Sequence, residues 1–323
     1  MNPKISIITS LYKGGEYIKG FLEDIVNQTI FKDKCELIII DANSPDNEKD
    51  IILEYQKDHP NIVYARLDED PGIYECWNIA IEMSRGEFIT NANVDDRKHE
   101  KSLEIHLHAL ENNKGADVVY ADILLTEKPN ETFANNTALG VYPSPEQASL
   151  EAILHRGAPH NNPLWRKSLH NKSGYFSRKY KSAGDLDMWL RFLENGAKFG
   201  KINTPLGLYY LNPNGMSTSP ETNDKKVKEE LNLTHEWYSG LITKFKKIKK
   251  ISLSIDCNGC EIEHEYNSDY NSPYQKEIRL REKNAKNPII LDFKKISNIK
   301  NIEELRFSFD ENIGTRLKNT IEL

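Results

Sequence analysis

Cysteine is scarce. Cys35, Cys76, Cys257 and Cys260 are the only four in 323 residues, too few and too scattered for a disulfide framework. Cys257-Asn-Gly-Cys260 has the spacing of half a zinc ribbon, but no second Cys-x-x-Cys and no paired histidines accompany it. A turn between two strands carrying two incidental thiols is therefore the reading, ahead of a metal or redox site. No apolar run approaches the roughly 18 residues of a membrane-spanning helix, and Met1-Asn-Pro-Lys4 leads into a strand pattern rather than the apolar core of a leader. The expectation is a cytoplasmic protein. A Gly-x-Gly-x-x-Gly loop is missing too, since Gly14-Gly15 alone does not supply one. Positive charge is not in excess: the net charge is −6 at pH 7, which argues against the basic surface on which nonspecific nucleic-acid binding rests.

What is present is hydrophobic patterning. An apolar content of 38% in a chain of this length supplies enough for about two domains. Short Ile- and Val-rich runs at 5–9, 37–41, 62–66, 88–91 and 117–120 read as strands. Between them, residues 17–28, 48–58, 74–84 and 98–112 carry apolar positions at helical spacing. Strands alternating with helices predict an α/β fold, a mostly parallel sheet covered by helices on both faces. In such sheets ligands bind at the carboxyl ends of the strands. Thr9, Asp41, Asp70, Asp95 and Asp96 all fall at or just after predicted strand ends.

Asp95 and Asp96 are adjacent carboxylates, with Asn93 two residues before Asp95 on the same face of an extended segment. Two hard oxygen ligands at a strand end suit a divalent cation carrying a diphosphate. An exposed turn or helix cap is the plainer role for an Asp-Asp pair. Asp41 is placed to accept from the base N–H of uracil or thymine, or to initiate the turn in Asp41-Ala-Asn-Ser-Pro. Gly72 allows close approach of backbone, and Asn78 lies one turn into the following helix.

Several segments in order, Ile5-Ser-Ile-Ile-Thr9-Ser10-Leu-Tyr12, Glu36-Leu-Ile-Ile-Ile-Asp41, Asp70-Pro-Gly72-Ile-Tyr-Glu-Cys-Trp-Asn78 and Asn93-Val-Asp95-Asp96, resemble the nucleotide-sugar half of family 2 glycosyltransferases, which have a GT-A fold. The resemblance continues through Pro159-His160-Asn-Asn-Pro-Leu-Trp-Arg166, Gly174-Tyr-Phe and Gly184-Asp185-Leu-Asp187-Met-Trp-Leu-Arg191, and covers roughly residues 3 to 215. It implies a DxD-type motif with Asp95 near the ribose or donor sugar and Asp96 on Mn²⁺ or Mg²⁺, with Thr9, Ser10, Tyr12, Asp41, Asp70, Gly72, Asn78 and Asn93 around the nucleotide sugar. It implies Asp185 as catalytic base. Many family members carry Glu-Asp where this chain has Gly184-Asp185, so Asp187 stays a second candidate, and either carboxylate could cap the helix that starts there. His160 could face the diphosphate or the acceptor, or be structural. Arg191 is equally a structural ion-pair partner.

The expected reaction is inverting transfer of a sugar from a nucleotide diphosphate, UDP first among them, to a hydroxyl of a glycan or lipid-linked acceptor in bacterial surface polysaccharide assembly. The alternatives are a nucleotidyltransferase, which normally opens with a Gly-rich phosphate loop bearing Arg or Lys, and an inactive domain that only binds glycan.

The expected domains are 1–220, divided into a nucleotide-sugar half to 120 and an acceptor half from 121, then a helical linker at 221–250 and a β-rich accessory module at 251–323. Residues 128–137 read as a loop and 185–195 as a helix. The basic run Lys244-Phe-Lys-Lys-Ile-Lys-Lys250 is either a solvated helix end or a contact with an anionic membrane at the inner face of the cell. After Lys250 short alternating segments at 251–256, 277–281, 288–293, 304–309 and 320–323 predict a small antiparallel sandwich.

Overall fold

The computed structural model describes residues 2–113, 115–146, 148, 152, 153, 159 and 162–245, and beyond those the backbone of seven strands between Lys250 and Glu322. The chain forms two compact units, one of Met1–Ala148 and Arg156–Glu230, the other of Ser149–His155 and Leu231–Leu323.

In the first unit, β1 (Ile5–Leu11) and β2 (Cys35–Asp41) are nearly unbroken apolar runs and are buried along their length, as strands covered on both faces must be. β1 lies between β2 and β4 (Phe88–Asn91), parallel to both, and β2 pairs in parallel with β3 (Ile62–Arg66). Helices α1 (Ile18–Val26), α2 (Phe31–Lys34), α3 (Glu48–Asp58), α4 (Ile73–Met83) and α5 (Ser102–Asn112) alternate with these strands. Because the chain builds outward from β1 to β3 and then returns to the other side of β1, a crevice opens at the carboxyl ends of β1 and β4. Ile8 lies level with Asn91, and the Ala92 N–H donates to the Ile8 carbonyl at 3.0 Å.

Beyond β4 the sheet continues through β8 (Pro163–Arg166), β6 (Val118–Thr126), β9 (Phe199–Tyr210) and β5 (Arg97–Lys98), with β7 (Gly140–Tyr142) against β6. Strands β5, β7 and β8 run against the other six. The mostly parallel α/β sheet expected from the sequence is thus observed. Two differences from the periodicity have physical causes. The helix expected from residue 98 begins at Ser102, because Arg97 and Lys98 pair with Leu208 and Gly207 of β9 instead. The long strand β9 was hidden because Gly200, Pro205 and Gly207 interrupt its pattern. The structure tolerates Pro205, which has no N–H for a ladder, by a register shift opposite Asp122.

Further helices among the described residues include α6 (His170–Ser173), α7 (Gly184–Glu194) and α8 (Pro220–Phe245). The first part of α8 is more than a connector. Glu229 accepts from the Lys181, Ser182 and Ala183 N–H groups and from Ser182 Oγ, at 2.7 to 3.2 Å, and so holds the turn that leads into α7.

In the second unit, β10 (Lys250–Cys257), β11 (Cys260–Asn267) and β16 (Arg316–Glu322) form one sheet, β12 (Glu277–Leu280) pairs with β13 (Ile289–Asp292), and β14 (Ile296–Ile299) pairs with β15 (Leu305–Phe307). All these pairings are antiparallel. Cys257 and Cys260 are paired across β10 and β11, and residues 258–259, where a turn is expected, lie outside the described residues, as does most of the basic run, 246–249. Among the described residues no helix is long and apolar enough to cross a membrane.

Candidate functional site

The crevice between β1 and β4 collects Thr9, Ser10 and Tyr12 from one strand and Asn93, Asp95 and Asp96 from the turn after the other. Thr9 is fully buried, and its Oγ1 and Asn91 Oδ1 have no hydrogen-bond partner among the described residues. Tyr12 is exposed at the rim. The backbone just after it is fixed from below: the Lys13 N–H donates to Ser44 Oγ at 2.8 Å and the Gly14 N–H to Glu48 Oε1 at 2.7 Å.

Asp41 has no exposed surface. Its Oδ1 accepts from the Ser44 N–H at 2.7 Å, and its Oδ2 accepts from Tyr64 Oη at 2.5 Å and Arg66 Nη1 at 2.7 Å. Arg66 reaches on to Asn43 Oδ1 and the Ser44 carbonyl. In this geometry Asp41 anchors the Arg66 guanidinium, which is one-third exposed at the edge of the crevice. Sequence reasoning passed over Arg66; its place at the end of β3, level with Asp41, is the signal it left.

After β3 the chain turns through Asp70 into α4. Asp70 Oδ1 accepts from the Gly72 N–H at 2.8 Å, and Gly72 sits at φ +90° and ψ 161°. That region is all but closed to residues with a Cβ. Gly72→Ala is accordingly expected to cost on the order of 1–3 kcal/mol in urea unfolding; an unchanged midpoint would show that this turn relaxes freely. Asn78, one turn on, does not face open space. Its Oδ1 accepts from the Phe176 N–H at 2.9 Å and its Nδ2 donates to the Phe176 carbonyl at 3.0 Å, so it ties α4 to the segment before α7.

The Asp95-Asp96 turn is gripped from several sides. Asn93 Nδ2 donates to Asp96 Oδ2 at 3.0 Å, the Tyr210 N–H to Asp96 Oδ1 at 3.1 Å, and Asn212 Nδ2 to Asp95 Oδ2 at 3.0 Å. Underneath, the buried Arg97 donates to the Val94 and Asp96 carbonyls at 2.9 and 2.7 Å, and to Asn130 Oδ1 at 2.9 Å. Gly20 makes room for it, since a Cβ there would lie 2.6 Å from Arg97 Nη2. Tyr210 ends β9, the strand the sequence pattern concealed, and Asn212 follows it two residues later. The only local signal was the turn-forming Asn212-Pro-Asn-Gly215.

Around α7 the two acidic candidates separate. Asp187 is buried and accepts from Arg191 Nε at 2.9 Å, while Arg191 also donates to the Ser173 and Tyr175 carbonyls. Both residues fasten α7 to the preceding turn. Asp185 is partly buried at the helix start, and its Oδ1 accepts from Tyr74 Oη at 3.1 Å. Burial raises its carboxyl above the usual carboxylate range, against the hydrogen bonds from the Leu186 N–H and Tyr74 and the charge of Lys226, which lower it. Tyr209, on β9, is raised first by burial and then by the negative charges of Asp96, Asp95 and Asp185. His160 lies outside the described residues.

The described residues contain no cluster of three or more His, Cys, Asp or Glu side chains arranged for a metal. Asp95 and Asp96 nevertheless fit a hard cation of the Mg²⁺ or Mn²⁺ kind, which is commonly held by one or two carboxylates plus substrate phosphates rather than by a protein cage.

Comparison with known proteins agrees with this construction. A solved structure of S. aureus TarS, residues 1–349 in complex with UDP, superposes with a TM-score of 0.57 at 19% identity, over 72% of this chain and 64% of that one. The GT-A architecture is therefore shared, although this chain spans less than two thirds of that protein segment. An uncharacterised glycosyltransferase from Methanocaldococcus jannaschii is 26% identical over 243 residues, 73% of this chain and 80% of the relative. Chondroitin synthase from Escherichia coli is 26% identical over 255 residues, 79% of this chain but 35% of that enzyme. The model of glycosyl transferase family 2 matches residues 6–173, from β1 through the crevice and the Asp95-Asp96 turn to the end of α6, and the chain belongs to that family.

Proposed function

We propose that this glycosyltransferase moves a sugar, with inversion, from a nucleotide-diphosphate donor, UDP-linked first among the candidates, to a hydroxyl of a glycan or lipid-linked acceptor. The observation that carries the reading is the Asp95-Asp96 turn after β4, whose two adjacent carboxylates are held by Asn93, the Tyr210 N–H and Asn212. The UDP complex of TarS and the relationship to chondroitin synthase support the donor and acceptor classes.

In this reading Thr9, Ser10 and Tyr12 line the nucleotide side of the crevice and Arg66, held by Asp41, stands at its edge. Asn93 and Asp95 face the ribose and donor sugar, and Asp96 holds Mn²⁺ or Mg²⁺. When bound, such an ion offsets the charge that gathers on the departing diphosphate. Asp185 accepts the proton of the acceptor hydroxyl. The hydroxyl oxygen then attacks the anomeric carbon from the face opposite the diphosphate, and a single displacement inverts that centre. In its ionised form, a carboxylate raised by burial is a better proton acceptor than an ordinary aspartate. Residues 251–323 act as an accessory module, and the protein works in the cytoplasm.

The test is a panel of UDP-, GDP- and dTDP-sugars scored for nucleotide release with Mn²⁺, with Mg²⁺ and with EDTA. Release of UDP from one UDP-sugar, lost in EDTA, is the expected result. Release that is indifferent to EDTA would overturn the metal assignment, and release only from a GDP- or dTDP-sugar would overturn the choice of UDP.

A further inference from the structure

We infer that Tyr74 is the positioning residue for the base, its hydroxyl fixing the orientation of the Asp185 carboxylate from the other half of the catalytic unit. The inference rests on Asp185 as base. Tyr74 opens α4, directly after the Asp70–Gly72 turn, whereas Asp185 opens α7, 111 positions later in the sequence.

The helix that carries Asp185 begins without a cap of its own. Its N-cap residue is Ala183, whose methyl can accept nothing, so the N-cap makes no side-chain hydrogen bond to the first turn. The Tyr74 hydroxyl reaches that helix start and donates to Asp185 Oδ1 at 3.1 Å.

The ring is held as a positioning group should be. Tyr74 is buried, stacks on Phe176 with ring centres 5.6 Å apart at 18°, and meets the edge of Trp77 at 5.7 Å. The Phe176 backbone is itself pinned by two hydrogen bonds with Asn78, its N–H donating to Oδ1 and its carbonyl accepting from Nδ2. Gly184 is what lets the ring come so close: a Cβ at that position would lie 2.7 Å from Tyr74 Cδ2. A Cβ at 184 would require the Tyr74 ring to shift.

Other charged groups face Asp185. Lys226 of α8 favours its ionised form, Glu230 on the same helix opposes it and is paired with Lys226, and Tyr209 faces it from β9. Tyr74 is the neutral donor among them, so its loss changes one hydrogen bond and no formal charge.

Tyr74→Phe keeps the ring and removes only the hydroxyl. In the full chain the Asp185 carboxyl, assigned by carboxyl ¹³C NMR from the signal missing in Asp185→Asn, is expected to titrate about one pH unit higher in Tyr74→Phe than in the parent, the size set by one hydrogen bond to a charged oxygen. Mn²⁺-dependent UDP release from the UDP-sugar that the parent turns over is expected to lose kcat by about ten-fold at unchanged donor KM. Placed on top of Asp185→Asn, the same change should add nothing, because the group it positions is gone. An unshifted titration would overturn the proposal, and so would a second ten-fold loss in the double variant. Parent-like turnover in Asp185→Asn alone would instead remove the base and this proposal with it. That outcome is told apart because it needs no change at Tyr74.

Discussion

Asp185→Asn is expected to lose about a hundred- to ten-thousand-fold in turnover while binding UDP and Mn²⁺ as the parent does. That is the range over which a positioned proton acceptor contributes, and an effect in kcat without one in ground-state binding is the mark of an interaction used only in the transition state. The substitution keeps the size of the side chain and still offers an oxygen to Tyr74, so the packing at the start of α7 survives. Asp187→Asn supplies the contrast. Asp187 is occupied by Arg191, which also holds the Ser173 and Tyr175 carbonyls. Its loss should appear first as a lower melting temperature, with turnover of the folded protein reduced far less. The reverse order of kcat losses would move the base to Asp187. Parent-like turnover in both variants would mean that the proton goes elsewhere.

Asp96→Ala is expected to abolish the part of UDP affinity that depends on Mn²⁺ and to leave affinity in EDTA unchanged. A metal ion stabilises phosphate charge by several kcal/mol, and about 3 kcal/mol of it corresponds to roughly a hundred-fold in Kd. The alanine variant also leaves the Tyr210 N–H and Asn93 Nδ2 without the acceptor they have in the parent, which costs on the order of 1–3 kcal/mol in stability where such donors are buried. Asp96→Asn separates the two effects, since it can still accept from Tyr210 but no longer carries charge. Calorimetry with and without EDTA should find both variants alike in nucleotide binding, and only the alanine variant destabilised. Metal-dependent affinity equal to the parent in Asp96→Asn would take the cation away from Asp96.

The strands and helices of the first 120 residues were legible because their signals are local. Ile5–Leu11 and Cys35–Asp41 carry unbroken apolar runs, and Glu48–Asp58 shows the helical period at its observed bounds. Strand ends followed by Thr9, Asp41 and Asp95-Asp96 marked the crevice before any coordinates, because a parallel sheet gathers its loops at one edge. The far half was less legible. β9 carries glycines and a proline that break its period, and its contribution to the site is made by the Tyr210 backbone and the Asn212 amide rather than by a recognisable acidic motif.

By itself, then, the sequence determined the α/β class and placed Thr9, Asp95 and Asp96 at or just after strand ends, since apolar period and residue type are properties of neighbouring positions. Only the tertiary structure decided which carboxylate each neighbour engages. Asp41 proved committed to Tyr64 and Arg66, Asp187 to Arg191, and Asp185 to Tyr74, across separations of 4 to 111 residues. A carboxylate's partners are set by which elements the sheet order places side by side, and that order depends on the packing of the whole unit, which no local pattern encodes.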